Sequence, residues 1–175
     1  MVGGFKNINL KIKEKARKIK LVLTDSDGVL TDTGVYYSER GEEMKRFSIR
    51  DGMGVERLRN LAGVETGIVT GELSGSVKKR AEKLLIHEVH QGVKDKKAVL
   101  NEIVKRKKIK LENVAFIGDD TNDLDVLTMA GLSACPSDAV IQIKQIVDYI
   151  TDSKGGYGAF RDFAELIIAS IEESK

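Results

Sequence analysis

The chain has 175 residues, 41% of them hydrophobic and 32% charged, and its 29 basic and 27 acidic side chains leave a formal net charge of +2. This is the size and composition of one globular domain with its own core, and near-balanced charge gives little long-range attraction for nucleic acid or anionic lipid. No apolar run approaches the ~20 residues of a membrane span, and the basic start of the chain is not followed by a signal-peptide apolar region. The expectation is a cytoplasmic protein with neither nucleic acid nor membrane as partner. The single cysteine, Cys135, excludes an intramolecular disulfide and a thiolate metal cluster within one chain, and beside Pro136 it reads as a small buried residue. His87 and His90, spaced H-E-V-H, read as structural or surface residues, so any metal falls to the abundant aspartates.

In chain order, residues 10–19 read as a short basic amphipathic helix, and 21–23 as a buried strand ending at Thr24-Asp25. Residues 35–37 and 44–47 are β-rich pieces around a polar, glycine-containing loop, and predict a β-hairpin within a small insert at 33–48. Residues 52–61 have helical apolar spacing and exit through Ala62-Gly63. Strand 67–70 follows, then a helix capped by Ser74 or Ser76 and ending at 84 or 85. The alternation continues with strand 88–90, helix 94–107, strand 114–117, helix 122–130 and strand 132–134. A short strand at 149–150 and an amphipathic helix at 159–171 close the chain. The expected fold is an α/β doubly wound, Rossmann-like parallel sheet with helices on both faces, in one domain over 1–175. The glycine-rich segment at 155–161 is a flexible or close-approach element. The Lys-rich stretches at 11–20 and 105–110 read as solvated helix surface.

In such a sheet the strand C-termini form the binding crevice, so the residues after each strand carry the chemistry. They are D-S-D-G (Asp25, Ser26, Asp27, Gly28), then Thr70-Gly71, then Lys96, then Gly118-Asp119-Asp120 with Asp123. Aspartates gathered this closely call for a divalent cation with a taste for oxygen, and Mg²⁺ fits, held by Asp25, Asp27 through its backbone carbonyl, and Asp119. Beside such a cation Asp25 can attack a phosphoryl group and form an aspartyl-phosphate, and Asp27, two residues on, suits the general acid and then the base. Thr70 and the Gly71 N–H can hydrogen-bond the transferring oxygens, and the Lys96 ammonium can neutralise developing charge or pair with Asp25 and Asp123. Asp120 and Asp123 read as supports behind the metal ligands or as caps of the following helix.

These motifs, in this order, resemble the haloacid dehalogenase-like phosphatases, with D-x-D-G-x-x-T-D, strand-Thr, Lys and G-D-D-x-x-D present between residues 21 and 166. The resemblance implies a phosphatase, Asp27 matching the family's acid/base. Many such enzymes carry a cap domain, but here a hairpin and a helix use up the chain from Asp27 to Thr70, and a helix and a strand use up the stretch to Lys96. No cap is expected. An open crevice accepts a macromolecule or is closed by a neighbouring subunit, and the hairpin is the element placed to pair between copies in a homotetramer.

The segments F-S-I-R-D-G-M-G, V-T-G-E, Q-G-V-K-D-K and G-G-Y-G-A-F-R-D are similar to the capless sugar-acid phosphatases. That resemblance implies a phosphorylated 2-keto-3-deoxy sugar acid as substrate, with Arg161 a candidate for its carboxylate by analogy. Glu72 stands where octulosonate 8-phosphate phosphatases usually carry Arg, and with Lys83 it resembles the 2-keto-3-deoxynononate enzymes. The sequence therefore leans to a nonulosonate 9-phosphate, with 3-deoxy-D-manno-octulosonate 8-phosphate as the alternative. Two other classes remain: a phospho-receiver, marked by a durable aspartyl-phosphate without turnover, and a non-catalytic accessory subunit of a cytidylyltransferase, marked by an inactive chain that stimulates that enzyme.

Overall fold

Alternate residues of the central strands feed two different cores. In β1 (Leu21–Thr24) Val22 joins one apolar cluster while Leu21 and Leu23 join the other. In β6 (Val114–Ile117) Ala115 and Ile117 are likewise set against Val114 and Phe116. Strands buried this way need helices on both sides. The computed structural model describes residues 8–173 and has that architecture.

The remaining strands are β4 (Glu65–Val69), β5 (Glu88–His90), β7 (Leu132–Cys135) and β8 (Tyr149–Ile150), and the six form one sheet in the order β5-β4-β1-β6-β7-β8. Every pairing in it is parallel. Helices α1 (Leu10–Ala16), α2 (Ile49–Arg57), α3 (Gly75–Leu84) and α7 (Ala159–Glu172) cover one face, burying Val55, Val77, Phe160, Phe163 and Ile167 against Val22, Ile68 and Ile117. On the other face α4 (Lys96–Lys107), α5 (Leu124–Met129) and α6 (Ile141–Lys144) bring Leu100, Ile103, Val126 and Ile143 against Leu23 and Phe116. The chain builds outward from β1 through β4 to β5, then crosses to β6 and builds the other way. The crevice at that reversal, beyond the C-terminal end of β1, is where ligands bind in open α/β sheets. Among the described residues no helix is long and apolar enough to cross a membrane.

The predicted doubly wound sheet is therefore present, and the differences are local. The hairpin, β2 (Thr31–Ser38) and β3 (Gly41–Phe47), starts directly from the loop after β1, two residues earlier than the predicted insert, and leaves Tyr36, Tyr37 and Met44 exposed. Helix α2 begins at Ile49 rather than 52, because Ser48 caps it by accepting from the Asp51 N–H at 3.3 Å. It continues through a π-helical turn, Leu58–Ala62, closed by Gly63 at φ 65°. Helix α1 stops at Ala16, the predicted helix at 122–130 opens with a 3-10 turn at Thr121–Asp123, and α6 had no expected counterpart. Residues 1–7 and 174–175 of the predicted 1–175 domain lie outside the described residues.

The glycine-rich segment is a close approach. A side chain on Gly155 would collide with the Gly28 carbonyl, and one on Gly156 would come within 2.5 Å of the Asp32 nitrogen. The segment packs on the D-S-D-G loop, with the Gly156 N–H donating to Val29 O at 2.8 Å.

Helix α7 follows those glycines, and its first residue is preceded by Gly158, which has no side chain with which to cap it. The cap comes from another helix. Buried Asp51 of α2 accepts from the Gly158 N–H at 3.1 Å and from the Arg161 N–H at 3.0 Å. Burial pushes its carboxyl pKa up, while these hydrogen bonds, first that from Arg161, hold it down. Removing a buried acceptor that satisfies two helix-end donors costs about 2–3 kcal/mol. Asp51→Ala is therefore expected to lower the thermal midpoint by roughly 5–10 °C. Calorimetry checks this, and a shift under about 2 °C would contradict the interhelical cap.

Candidate active site

Four segments meet at the C-terminal edge of the sheet. The first leaves β1: the Asp25 N–H donates to Ile117 O at 3.0 Å, and the chain then turns back so that the N–H groups of Leu30 and Thr31 reach Ser26 O at 2.9 and 3.1 Å. Gly28, at φ 86°, allows this turn, and a side chain there would occupy the place of the Asp119 carboxylate. Asp25 is 4% exposed. Its Oδ1 accepts from the Ser26 N–H at 2.7 Å and lies 3.1 Å from Lys96 Nζ. Among the described residues its Oδ2 accepts no hydrogen bond, and Asp25 contributes to the lining of a cavity of about 250 Å³.

Lys96, the first residue of α4, is 5% exposed and is clamped between Asp25 and Asp123, whose Oδ1 lies 2.5 Å from Nζ. The other oxygen of Asp123 accepts from the Asp119 N–H at 3.1 Å. Gly118 makes room for this, since a side chain on it would meet the Asp123 side chain. Carboxylate oxygens of Asp25, Asp119 and Asp123 lie within 4.8 Å of one another.

The charges in this cluster oppose and support each other. Burial first, and then the Asp123 charge, push the Asp25 carboxyl up to about 7 against the pull of Lys96. Asp119 rises to about 8 through burial and the charges of Asp25, Asp123 and Asp120. Asp123 is raised by burial, with Lys96 resisting. Burial works against the Lys96 ammonium, but Asp25 and Asp123 outweigh it and lift its pKa above the ordinary lysine value. One ammonium cannot neutralise three carboxylates, so the group is short of positive charge, and oxygen donors so placed suit a hard divalent cation.

Asp27 lines the same cavity, yet its carboxylate is held by Lys45 of β3, at 2.7 and 2.9 Å, and by Thr31 Oγ1 at 3.3 Å. Thr70 is buried at the end of β4, its N–H donating to His90 O at 2.9 Å and its hydroxyl accepting from the Glu72 N–H at 3.4 Å. Gly71, Glu72 and Asp120 complete the predicted part of the lining.

Seven candidates thus line one cavity, and Lys96 and Asp123 sit behind Asp25. Two others do not reach it. Lys83 is exposed in the last turn of α3, about 12 Å along the helix from its start. Arg161 is held at 2.7 Å by Glu165, one turn along α7, which also binds Arg57 at 2.6 Å. Asp25 and Asp119 of the expected ligand set are two of these clustered carboxylates, and Asp123 supplies the third. Three lining or contacting residues were not anticipated: Thr33, Asn122 and Lys45. Thr33 has φ 64°, rare for a β-branched residue and not signalled by its residue type. His87 is exposed, His90 pairs with Glu88 at 2.5 Å, and burial drives the Cys135 thiol up to about 11, in keeping with their structural readings.

Residues 63–159 match the sequence profile of the haloacid dehalogenase-like hydrolases. The chain is 34% identical over 163 residues to the 3-deoxy-D-manno-octulosonate 8-phosphate phosphatase of Haemophilus influenzae, covering 93% of this chain and 90% of that one. It is 34% identical over 171 residues to the corresponding Escherichia coli K12 enzyme, covering 96% and 90%. The crystal structure of the Moraxella catarrhalis 3-deoxy-D-manno-octulosonate 8-phosphate phosphatase with a magnesium ion, a phosphate ion and a KDO molecule superposes with a TM-score of 0.89 at 37% identity, covering 93% of each chain. By profile, identity over its length and fold, the chain belongs to the haloacid dehalogenase-like hydrolases, in their capless sugar-acid phosphatase group.

Proposed function

We propose that the chain is a Mg²⁺-dependent phosphomonoesterase acting on a 2-keto-3-deoxy sugar acid phosphate, and specifically on 3-deoxy-D-manno-octulosonate 8-phosphate. The reading is carried by the buried Asp25–Lys96–Asp123 cluster with Asp119 beside it, where Asp25 Oδ2 accepts no hydrogen bond among the described residues. The sequence's lean to a nine-carbon acid draws on Glu72 and Lys83 together, but only Glu72 lines the cavity, and the relatives described above, which act on the eight-carbon acid, favour what the sequence offers as the alternative.

In this mechanism Asp25 attacks phosphorus, and its bond to phosphorus forms as the ester bond to the sugar oxygen breaks, that oxygen taking a proton from Asp27. Water then attacks the same phosphorus while giving its proton to Asp27, which frees phosphate and restores Asp25. The Thr70 hydroxyl, the Gly71 N–H and Lys96 hold the transferring oxygens. Asp25, Asp119 and the Asp27 carbonyl would hold the Mg²⁺, which supplies charge neutralisation for the phosphoryl group. Asp123 orients Lys96, and Asp120 caps the 3-10 turn beside the site, accepting from the Thr121 N–H at 2.6 Å. The proposal extends to assembly: the hairpin, with Tyr36, Tyr37 and Met44 exposed on it, pairs between copies in a homotetramer.

The cluster makes metal binding pH-dependent. Asp119 has a pKa of about 8 in the folded, metal-free chain and one near 4 when unfolded, so between these values the folded state holds a proton that the unfolded state has lost. The resulting stability is full below about pH 4 and is lost as pH rises to about 8. A cation competes with that proton. Mg²⁺ should therefore raise the thermal midpoint little at pH 5, increasingly towards pH 8, and no further above it; an equal rise at pH 5 and 8 would contradict the assignment.

Phosphate release with Mg²⁺ from octulosonate 8-phosphate, nononate 9-phosphate and ordinary sugar phosphates, compared as kcat/KM, tests the substrate. The eight-carbon acid is expected to lead by about tenfold or more, roughly 1.4 kcal/mol in the transition state, from a preparation that sediments as a tetramer. A lead for the nine-carbon acid would return the choice to Glu72, and a fully active monomer would remove the assembly proposal.

A further inference from the structure

One buried cation near the cavity has no part in the mechanism above. Lys45 is a residue of the hairpin strand β3, yet its side chain is only 1% exposed. Its ammonium lies 2.7 and 2.9 Å from the two carboxylate oxygens of Asp27 and 3.3 Å from Glu42. Glu42 in turn takes a hydrogen bond from the hydroxyl of Ser74, the residue that caps α3 directly after the Thr70–Glu72 loop.

This arrangement is costly if its purpose is only to hold the hairpin. Placing a charge at the root of a two-stranded element requires desolvation that an apolar side chain of the same length would avoid. Both Asp27 oxygens accept from the ammonium and Glu42 pairs with it at 3.3 Å, so its charge is engaged by protein carboxylates. Asp27, by contrast, has little else to aim it: among the described residues its other side-chain hydrogen bond is from Thr31 Oγ1 at 3.3 Å, and it lies within the turn that Gly28 allows at φ 86°. A carboxylate at a cavity wall swings about two side-chain torsions unless something holds both oxygens.

We propose that Lys45 is a positioning residue for the Asp27 carboxylate, and that the chain Asp27–Lys45–Glu42–Ser74 fixes the acid–base group relative to the phosphate-holding loop after β4. The inference rests on the proposed hydrolase reading, in which Asp27 passes a proton to the leaving oxygen. It makes the hairpin part of the catalytic apparatus: a displacement of β3 moves Asp27 with it.

The test uses the full chain with Mg²⁺ and two esters that differ in their need for a proton. An alkyl ester such as octulosonate 8-phosphate needs protonation of its leaving oxygen, whereas p-nitrophenyl phosphate releases a phenolate unaided. Lys45→Met is expected to lower kcat on the alkyl ester roughly 10²-fold with KM changed less than about threefold. The first-turnover burst of p-nitrophenol, followed by stopped flow, stays within about threefold of the wild type. Lys45→Arg, which keeps a cation, recovers part of the alkyl-ester rate. Should Lys45→Met fail to fold, Glu42→Gln loosens the same ammonium from its far side and gives the same split in milder form. Equal loss on the two esters, or wild-type rates on both, overturns the positioning role. Wild-type protein inert on both esters overturns the hydrolase reading and this inference with it.

Discussion

The architecture is organised around an electrostatic problem. Three carboxylates, from Asp25, Asp119 and Asp123, are gathered within 4.8 Å at the edge of a buried sheet, with one ammonium among them. At an effective dielectric near 20, two ionised carboxylates at that separation repel by roughly 3–4 kcal/mol. Lys96 offsets part of this, and a proton or a divalent cation must offset the rest; burial first, and then this repulsion, push Asp25 and Asp119 up to about 7 and about 8. The fold holds the groups together against that repulsion because each is carried on a rigid element: β1, the start of α4, and the turn after β6.

The surrounding backbone is shaped to the same end. Gly28 and Gly118 admit the carboxylates of Asp119 and Asp123 into space that a side chain would fill, and Gly155 and Gly156 let the C-terminal segment lie directly on the loop that bears Asp25 and Asp27. The Asp51 carboxylate then anchors that segment by capping α7. The loop is thus supported from behind by backbone contact, and from the side by the hairpin through Lys45 and through Arg46, which reaches Gly156 O at 3.0 Å and stacks on Tyr157.

Much of this was legible in the sequence, for a physical reason. Parallel strands covered on both faces are short apolar runs, and their C-terminal ends must converge, so D-S-D-G after β1 and G-D-D after β6 declare a shared site without any knowledge of side-chain packing. What stayed hidden depends on contacts across the fold. Nothing local to Lys45 marks it as the partner of Asp27, 18 positions earlier. Lys83 enters as a candidate only through resemblance to the nononate enzymes, and within this chain it sits in the last turn of α3, outside the cavity lining. Arg161 was assigned to a substrate carboxylate although Glu165, four residues on, was available to it as a one-turn helix partner.

The central claim is that Asp25 receives the phosphoryl group. Rapid acid quenching of the Mg²⁺-loaded enzyme during turnover of octulosonate 8-phosphate, followed by mass spectrometry of its peptides, tests this most directly. The account predicts a phosphoryl group on the Asp25 peptide, absent from Asp25→Asn, which should be inactive. Phosphorylation of a different residue, or sustained turnover by Asp25→Asn, would contradict it.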